Sequence, residues 1–65
     1  MSWTTDIPRT EGWYWLRFLA KPETLHIGYA EFTKQGDCFV TTFGGEWRGE
    51  VLHRFQFAGP LDPPN

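Results

Sequence analysis

The stretch of sequence that decides the fold is Gly12-Trp13-Tyr14-Trp15-Leu16-Arg17-Phe18-Leu19. Its aromatic composition and the glycine at its start predict a β-strand over residues 13–19 rather than a helical turn. Successive side chains of a strand point to opposite faces of the sheet. One face therefore carries Tyr14, Leu16 and Phe18. The other face carries Trp13, Trp15 and Arg17. Both faces are largely apolar, so the strand is either covered on both sides or presents its indoles to a partner outside the monomer.

Two further segments have strand patterns in the middle of the chain. Residues 25–32 alternate, and we expect their bulky face, formed by Leu25, Ile27 and Tyr29, to be buried. The β-branched residues within 38–43 predict the next strand. Between the two lies a hairpin turn, 33–37, in which Gly36 supplies a residue with positive φ.

In the remaining segments, glycines, prolines and one short alternating stretch predict turns, loops and a last strand. Residues 46–48 lie between glycines and form either a brief edge strand or a loop. Residues 53–57 alternate between aromatic and polar side chains and predict the last strand. The intervening and terminal segments are a proline-containing turn at 21–24, an irregular lead-in at 1–11, an exit from the sheet at 58–61 and an extended proline-rich tail at 60–65.

These elements predict one all-β domain over residues 1–65. The expected architecture is a small antiparallel meander of four to five strands, either a curled sheet or an open barrel of SH3-like proportions. A chain of 65 residues buries only about 60% of the surface that its unfolded form exposes. Its four Trp, two Tyr and six Phe residues supply large apolar side chains for such a small core. We expect Trp3 to cover one end of that core.

Several features of the sequence favour a cytoplasmic protein. The amino terminus has neither the basic nor the apolar region of a signal peptide, and no apolar run approaches the roughly 20 residues of a membrane helix. A single cysteine, Cys38, excludes an intramolecular disulfide. The sequence therefore predicts a protein without a membrane partner.

The charge and the potential ligand residues of the chain argue against nucleic-acid binding, a metal site and catalysis. The net charge is −2 and the six Lys and Arg residues are scattered, whereas nucleic-acid binding usually leaves a basic patch. Cys38, His26 and His53 lack the close paired spacing of structural zinc sites. Cys38 with a histidine is the minimal nucleophile pair, but nothing marks Cys38 as electropositive or exposed. So small a chain also has difficulty enclosing a substrate pocket. We expect no catalytic residue, no metal and no cofactor.

The aromatic residues carry the most specific functional signal. Trp and Arg dominate the binding energy of protein interfaces, and an arginine over an indole adds a cation–π contact. The predicted partner-binding residues form one face, with Trp13, Trp15 and Trp47 at its centre and Arg17 and Arg48 at its margin. The alternative is that the sheet closes and buries the rings; for Trp13 and Trp15 both interpretations stay open, whereas Trp47 is expected to be exposed because it lies between glycines.

Three kinds of partner suit an exposed aromatic face. A proline-rich peptide docks on aromatic grooves, although the chain's own tail from Pro60 onward could occupy such a groove. Single-stranded nucleic acid stacks on indoles but also requires a positive groove. A folded protein, including a second copy of this chain, requires only an apolar patch with a polar rim and so the fewest additional features.

The layout of the chain resembles that of small proteins encoded by bacteriophages and prophages. The resemblance rests on Gly12-Trp13-Tyr14-Trp15, on a central hairpin and on Phe55-Gln56-Phe57-Ala58-Gly59-Pro60-Leu61. Such proteins share no assigned activity, so the resemblance implies no catalytic residue. It implies instead an accessory protein that binds and blocks a host protein, including a component of antiviral defence, or that sequesters a small signal molecule.

The sequence thus predicts a non-enzymatic protein that binds a host protein through an aromatic face. The first alternative is a nucleotide or single-stranded nucleic-acid binder that stacks a base between indoles. A more remote alternative is an oligomeric enzyme whose pocket forms between copies.

Overall fold

A computed structural model describes residues 2–61 of the chain as one antiparallel sheet of five strands. The strands are β1 (Gly12–Phe18), β2 (Lys21–Phe32), β3 (Cys38–Thr42), β4 (Gly45–Arg48) and β5 (Phe55–Leu61). A six-residue 3₁₀ helix, Gly49–Arg54, joins β4 to β5. The strand order is β4-β3-β2-β1-β5, so the predicted all-β meander is confirmed.

One face of the sheet, here called the core face, forms the apolar core. Its buried residues come from β1, β2, β3, β5 and the 3₁₀ helix and are Tyr14, Leu16, Ala30, Val40, Leu52, Phe55 and Phe57. Trp47 of β4 and Phe55 of β5 lie on opposite edge strands, yet their ring centroids are only 5.7 Å apart. The sheet is therefore curled. Within residues 2–61 the two edge strands do not pair, and the sheet remains open.

The first hairpin is tighter than the sequence predicts. The expected turn at 21–24 is wrong: β2 already begins at Lys21, and only Leu19 and Ala20 separate it from β1. Pro22 is tolerated because the pairing between β2 and β3 begins only at Gly28, opposite Thr42, which leaves this part of β2 as an edge.

The last two strands also differ from the expected boundaries. Of the two interpretations of residues 46–48, the edge strand is the observed one. The last strand begins at Phe55 rather than at residue 53, and the expected exit from the sheet at 58–61 is wrong because Leu61 still pairs with Trp13. An irregularity in this pairing accommodates Gly59 and Pro60. Residues 62–65 of the predicted tail lie outside the described residues.

The orientation of β2 is opposite to the prediction. Its small residues Gly28 and Ala30 face the core, and Ile27 is 44% exposed. The reason is the close approach of β3: a Cβ atom on Gly28 would lie 2.7 Å from Cγ1 of Val40. A bulky residue at this position has no room, so the large side chains of β2 are directed away from the core.

The amino-terminal segment is tied to the sheet edge. Residues 2–11 contain no regular strand, but Thr4 and Phe57 exchange two backbone hydrogen bonds of 3.0 and 2.8 Å. The hydroxyl of Tyr14 donates to the carbonyl of Thr10 at 2.9 Å. The segment thereby covers part of the free edge of β5 and holds Trp3 beside β1.

Candidate functional site

Four large side chains of the two central strands share the face of the sheet opposite the core. We call this set, Trp13, Trp15, Ile27 and Tyr29, the outer aromatic face. In the register of β1 and β2, Trp13 lies opposite Tyr29 and Trp15 lies opposite Ile27. Directly opposed residues of an antiparallel pair lie on the same side of the sheet, so the four side chains form one patch.

The outer aromatic face is partly open to solvent. Trp13 and Ile27 are each 44% exposed, and Leu25, two residues before Ile27 on β2, is 52% exposed. Trp13 and Tyr29 pack edge to face, with ring centroids 5.1 Å apart and an interplanar angle of 74°. Such packing restricts both rings, so the patch presents apolar surface in a preformed arrangement.

Arg17 borders the outer aromatic face. The sequence predicts this position, because alternation places Arg17 on the face of β1 that carries Trp13 and Trp15. Its Nε donates a hydrogen bond of 2.8 Å to Oε1 of Gln56, and its Cζ lies 4.1 Å from the centroid of the Trp3 ring. Trp3 therefore covers the guanidinium on the outer side of the sheet, and the expectation that it covers one end of the core is wrong. The guanidinium is already engaged on two sides.

Arg48 lies on the same side of the sheet but far from Trp13. Strand order places three inter-strand steps between β1 and β4, which corresponds to roughly 14 Å. Arg48 forms an ion pair with Glu46, and its Cζ lies 5.3 Å from the centroid of the Phe39 ring. It belongs to a separate group at the edge of the sheet rather than to the margin of the outer aromatic face.

Trp47 lies on the opposite side of the sheet from the other predicted site residues. It pairs with Val40, packs against the core and contacts the rings of Phe18 and Phe55 at centroid distances of 5.9 and 5.7 Å. The prediction that it is exposed and shares a face with Trp13 is therefore wrong. In a four-residue strand, alternation directs Trp47 away from Glu46 and Arg48, whatever glycines flank it.

Sequence reasoning missed Ile27 and Tyr29 as surface residues. Alternation within β2 correctly groups Leu25, Ile27 and Tyr29 on one face, but it does not say which face is buried. The available signal was Gly28, whose missing side chain marks the close approach of a neighbouring strand.

The candidate ligands for metal and acid–base chemistry are dispersed. Within residues 2–61, no group of three or more His, Cys, Asp or Glu side chains is placed to hold a metal ion. Burial raises the pKa of the Cys38 thiol above its ordinary value. His26 lies half-buried against Phe18, with ring centroids 5.9 Å apart, and His53 is exposed on the 3₁₀ helix.

Several depressions mark the surface of residues 2–61, and two of them differ in the character of their lining. The larger, an open groove of about 1230 Å³, lies between residues 5–9, the turn after β2 and the 3₁₀ helix, and its lining mixes acidic, basic and polar side chains. A smaller pocket of about 280 Å³ lies at the end of the core and is lined mainly by aromatic residues. Neither depression includes Trp13 or Trp15 in its lining.

Comparisons with protein-family models, with curated proteins and with solved structures give no match to this chain. Among residues 2–61, no helix has the length and apolar character needed to cross a membrane.

Proposed function

We propose that this chain is a non-enzymatic binding protein that attaches to another protein through its outer aromatic face. The observation that carries the proposal is the patch formed by Trp13, Trp15, Ile27 and Tyr29, in which two large apolar residues are each 44% exposed. Adjoining apolar residues of this size on a sheet face are typical of protein interfaces.

The energetics of the patch support a protein partner. Tryptophan side chains dominate interface hot spots, and rigid aromatic rings lose little conformational entropy on docking. Trp13 is held by Tyr29 before any partner arrives. The proposed mechanism is steric: the preformed face covers a surface of the partner and blocks or recruits it.

The arginines give less support to a phosphate-bearing partner. Arg17 is covered by Trp3 and bonded to Gln56, and Arg48 is paired with Glu46. The net charge of −2 also opposes the approach of a polyanion. A nucleotide or single-stranded nucleic acid is the alternative partner, and the experiment must distinguish its binding from that of a protein.

The biological setting of the proposal comes from the resemblance to small phage and prophage proteins. We place the protein in the cytoplasm of a bacterial host, where its partner is a host protein such as a component of antiviral defence. In this view the curled sheet serves as an SH3-like open barrel that displays a binding face and carries no catalytic centre.

The test combines affinity capture with a measured affinity. Immobilised wild type, Trp13→Ser and Leu19→Ser are exposed to bacterial lysate after each is confirmed to be folded, and the retained protein is identified and purified. Leu19 is 48% exposed in the first turn and is the matched apolar control outside the face. We expect the Kd of the purified pair to rise roughly thirtyfold or more with Trp13→Ser and to stay unchanged with Leu19→Ser.

Two results would overturn this function. One is that no protein is retained by wild type and lost with Trp13→Ser. The other is that oligonucleotides or nucleotides bind at the indoles with an affinity that falls as salt concentration rises, which is the signature of phosphate-driven binding.

A further inference from the structure

A small apolar pocket opens where β3 stops short of β2. The last residue pair between these strands is Gly28 with Thr42, and β2 continues beyond it toward Lys21 alongside β1. The pocket in this gap has a volume of about 280 Å³. Its walls are formed by Phe18, His26, Trp47 and Phe55.

An exposed phenylalanine stands at the rim of this pocket. Phe43, in the two-residue turn between β3 and β4, is fully exposed at 108% of its reference area. Leu25 and Ile27, which are 52% and 44% exposed, also line the pocket. The Phe43 ring is thus exposed to solvent beside a pocket whose lining is also aromatic, so the ring and the pocket are chemically complementary.

We propose that the pocket binds the Phe43 ring of a second copy of this chain. A cavity of about 150 Å³ already accepts benzene, so a pocket of about 280 Å³ has room for a phenyl ring. Because Phe43 borders its own pocket, a two-fold axis beside the turn places each Phe43 in the pocket of the other copy. The contact is therefore self-complementary, as closed dimers require.

Charge permits two copies to meet at this surface. The described residues that line the pocket include no Asp, Glu, Lys or Arg. A two-fold axis brings identical surfaces together, so any charge near it would face a like charge. A lining without carboxylates, lysine or arginine avoids that repulsion.

The buried area predicts a weak and reversible dimer. One fully exposed phenylalanine contributes roughly 200 Å², and Leu25 and Ile27 together add an amount of the same order. Their sum is below the roughly 800 Å² per partner of a standard interface. We therefore expect dimerisation at high micromolar concentrations, with the Phe43 ring as the main anchor.

The two sites share Ile27, which lines the pocket and also belongs to the outer aromatic face, but Phe43 and Trp13, the residues changed in the two tests, each belong to only one of them. Phe43 and the pocket walls lie at the end of the core, whereas Trp13 and Trp15 lie on the outer side of the sheet. Loss of the dimer would leave the proposed function standing, and the failure of that function would leave the dimer.

Sedimentation equilibrium of wild type, Phe43→Ser and Leu19→Ser tests the proposal. Across about 10 µM to about 1 mM, the mass of wild type is expected to rise toward that of a dimer. Phe43→Ser is expected to weaken the dimer roughly thirtyfold or more, and Leu19→Ser, which removes an equally apolar residue outside the pocket, to leave it unchanged. A strictly monomeric wild type, or a Phe43→Ser dimer of unchanged affinity, would overturn the proposal.

The location of the contact is tested by isotope-filtered NMR on a mixture of labelled and unlabelled wild-type protein. Intermolecular NOEs are expected between the ring protons of Phe43 and those of His26 and Trp47. A dimer whose intermolecular NOEs involve Trp13 and Tyr29 instead would contradict the pocket as the site of association.

Discussion

The guanidinium of Arg17 lies over the indole of Trp3, with its Cζ atom 4.1 Å from the ring centroid. This contact joins the irregular amino-terminal segment to the first strand. Thr4, the next residue after Trp3, continues the connection through its two backbone hydrogen bonds with Phe57. The segment therefore acts as a strap that fixes both the margin of the outer aromatic face and the free edge of β5.

Removing the indole of this strap is expected to lower stability. Trp3→Ala should reduce the free energy of unfolding by about 1–2 kcal/mol, because it removes a half-buried ring and its cation–π contact. Urea unfolding followed by circular dichroism measures the change. Thr5→Ala, at an exposed position of the same segment, is the control and should stay within about 0.5 kcal/mol of wild type.

A double-mutant cycle isolates the contact between the two side chains. Arg17→Met keeps the aliphatic stem but removes the charge. Combined with Trp3→Ala, it should give a coupling energy of about 0.5–1 kcal/mol. A coupling of zero would mean that Trp3 and Arg17 stabilise the fold independently.

The two tryptophans of the sequence-based site should behave differently on truncation. Trp47→Ala is expected to lower the free energy of unfolding by about 2–4 kcal/mol, since it opens a gap beside Phe18 and Phe55. Trp13→Ala, on the outer side, should cost about 1 kcal/mol or less. Chemical denaturation of both variants measures the difference, and equal losses would contradict the assignment of Trp47 to the core face.

The sequence predicts strand content and alternation well, but it predicts less about which face is buried. The pattern of β1 correctly separates Tyr14 and Leu16 from Trp13 and Trp15. The choice between faces depends on Phe55 and Phe57, which reach the core from about 40 positions further along the chain. The prediction that Trp47 is exposed is wrong for the same reason, because its flanking glycines carry no information about Phe18 and Phe55, which pack against it.

Gly28 should be difficult to replace because β3 approaches it closely. Gly28→Ala places a Cβ atom 2.7 Å from Cγ1 of Val40 and 3.0 Å from Cγ2 of Thr42. We expect a loss of about 1–3 kcal/mol from this overpacking. Gly44→Ala is the matched control, because its Cβ atom would meet its nearest neighbour only at 4.0 Å. Thermal or urea unfolding of the two variants gives the comparison.

Relief of the same crowding provides a second test. The cost of Gly28→Ala should be smaller in a Val40→Ala background, since the shorter side chain withdraws the atom that the new Cβ meets. Strictly additive losses in the double variant would show that the crowding between β2 and β3 does not determine the cost.

Cys38 should make stability depend on pH in the alkaline range. Burial raises the pKa of its thiol, so the folded state holds the proton more tightly than the unfolded state. Below the unfolded pKa the contribution is present in full; as pH rises through that value toward the folded pKa, the unfolded chain loses its proton first and stability falls. Urea unfolding over this range measures the slope. Subtracting the profile of Cys38→Ala, which lacks the thiol, removes the titration of all other groups, and parallel profiles for the two proteins would contradict the prediction.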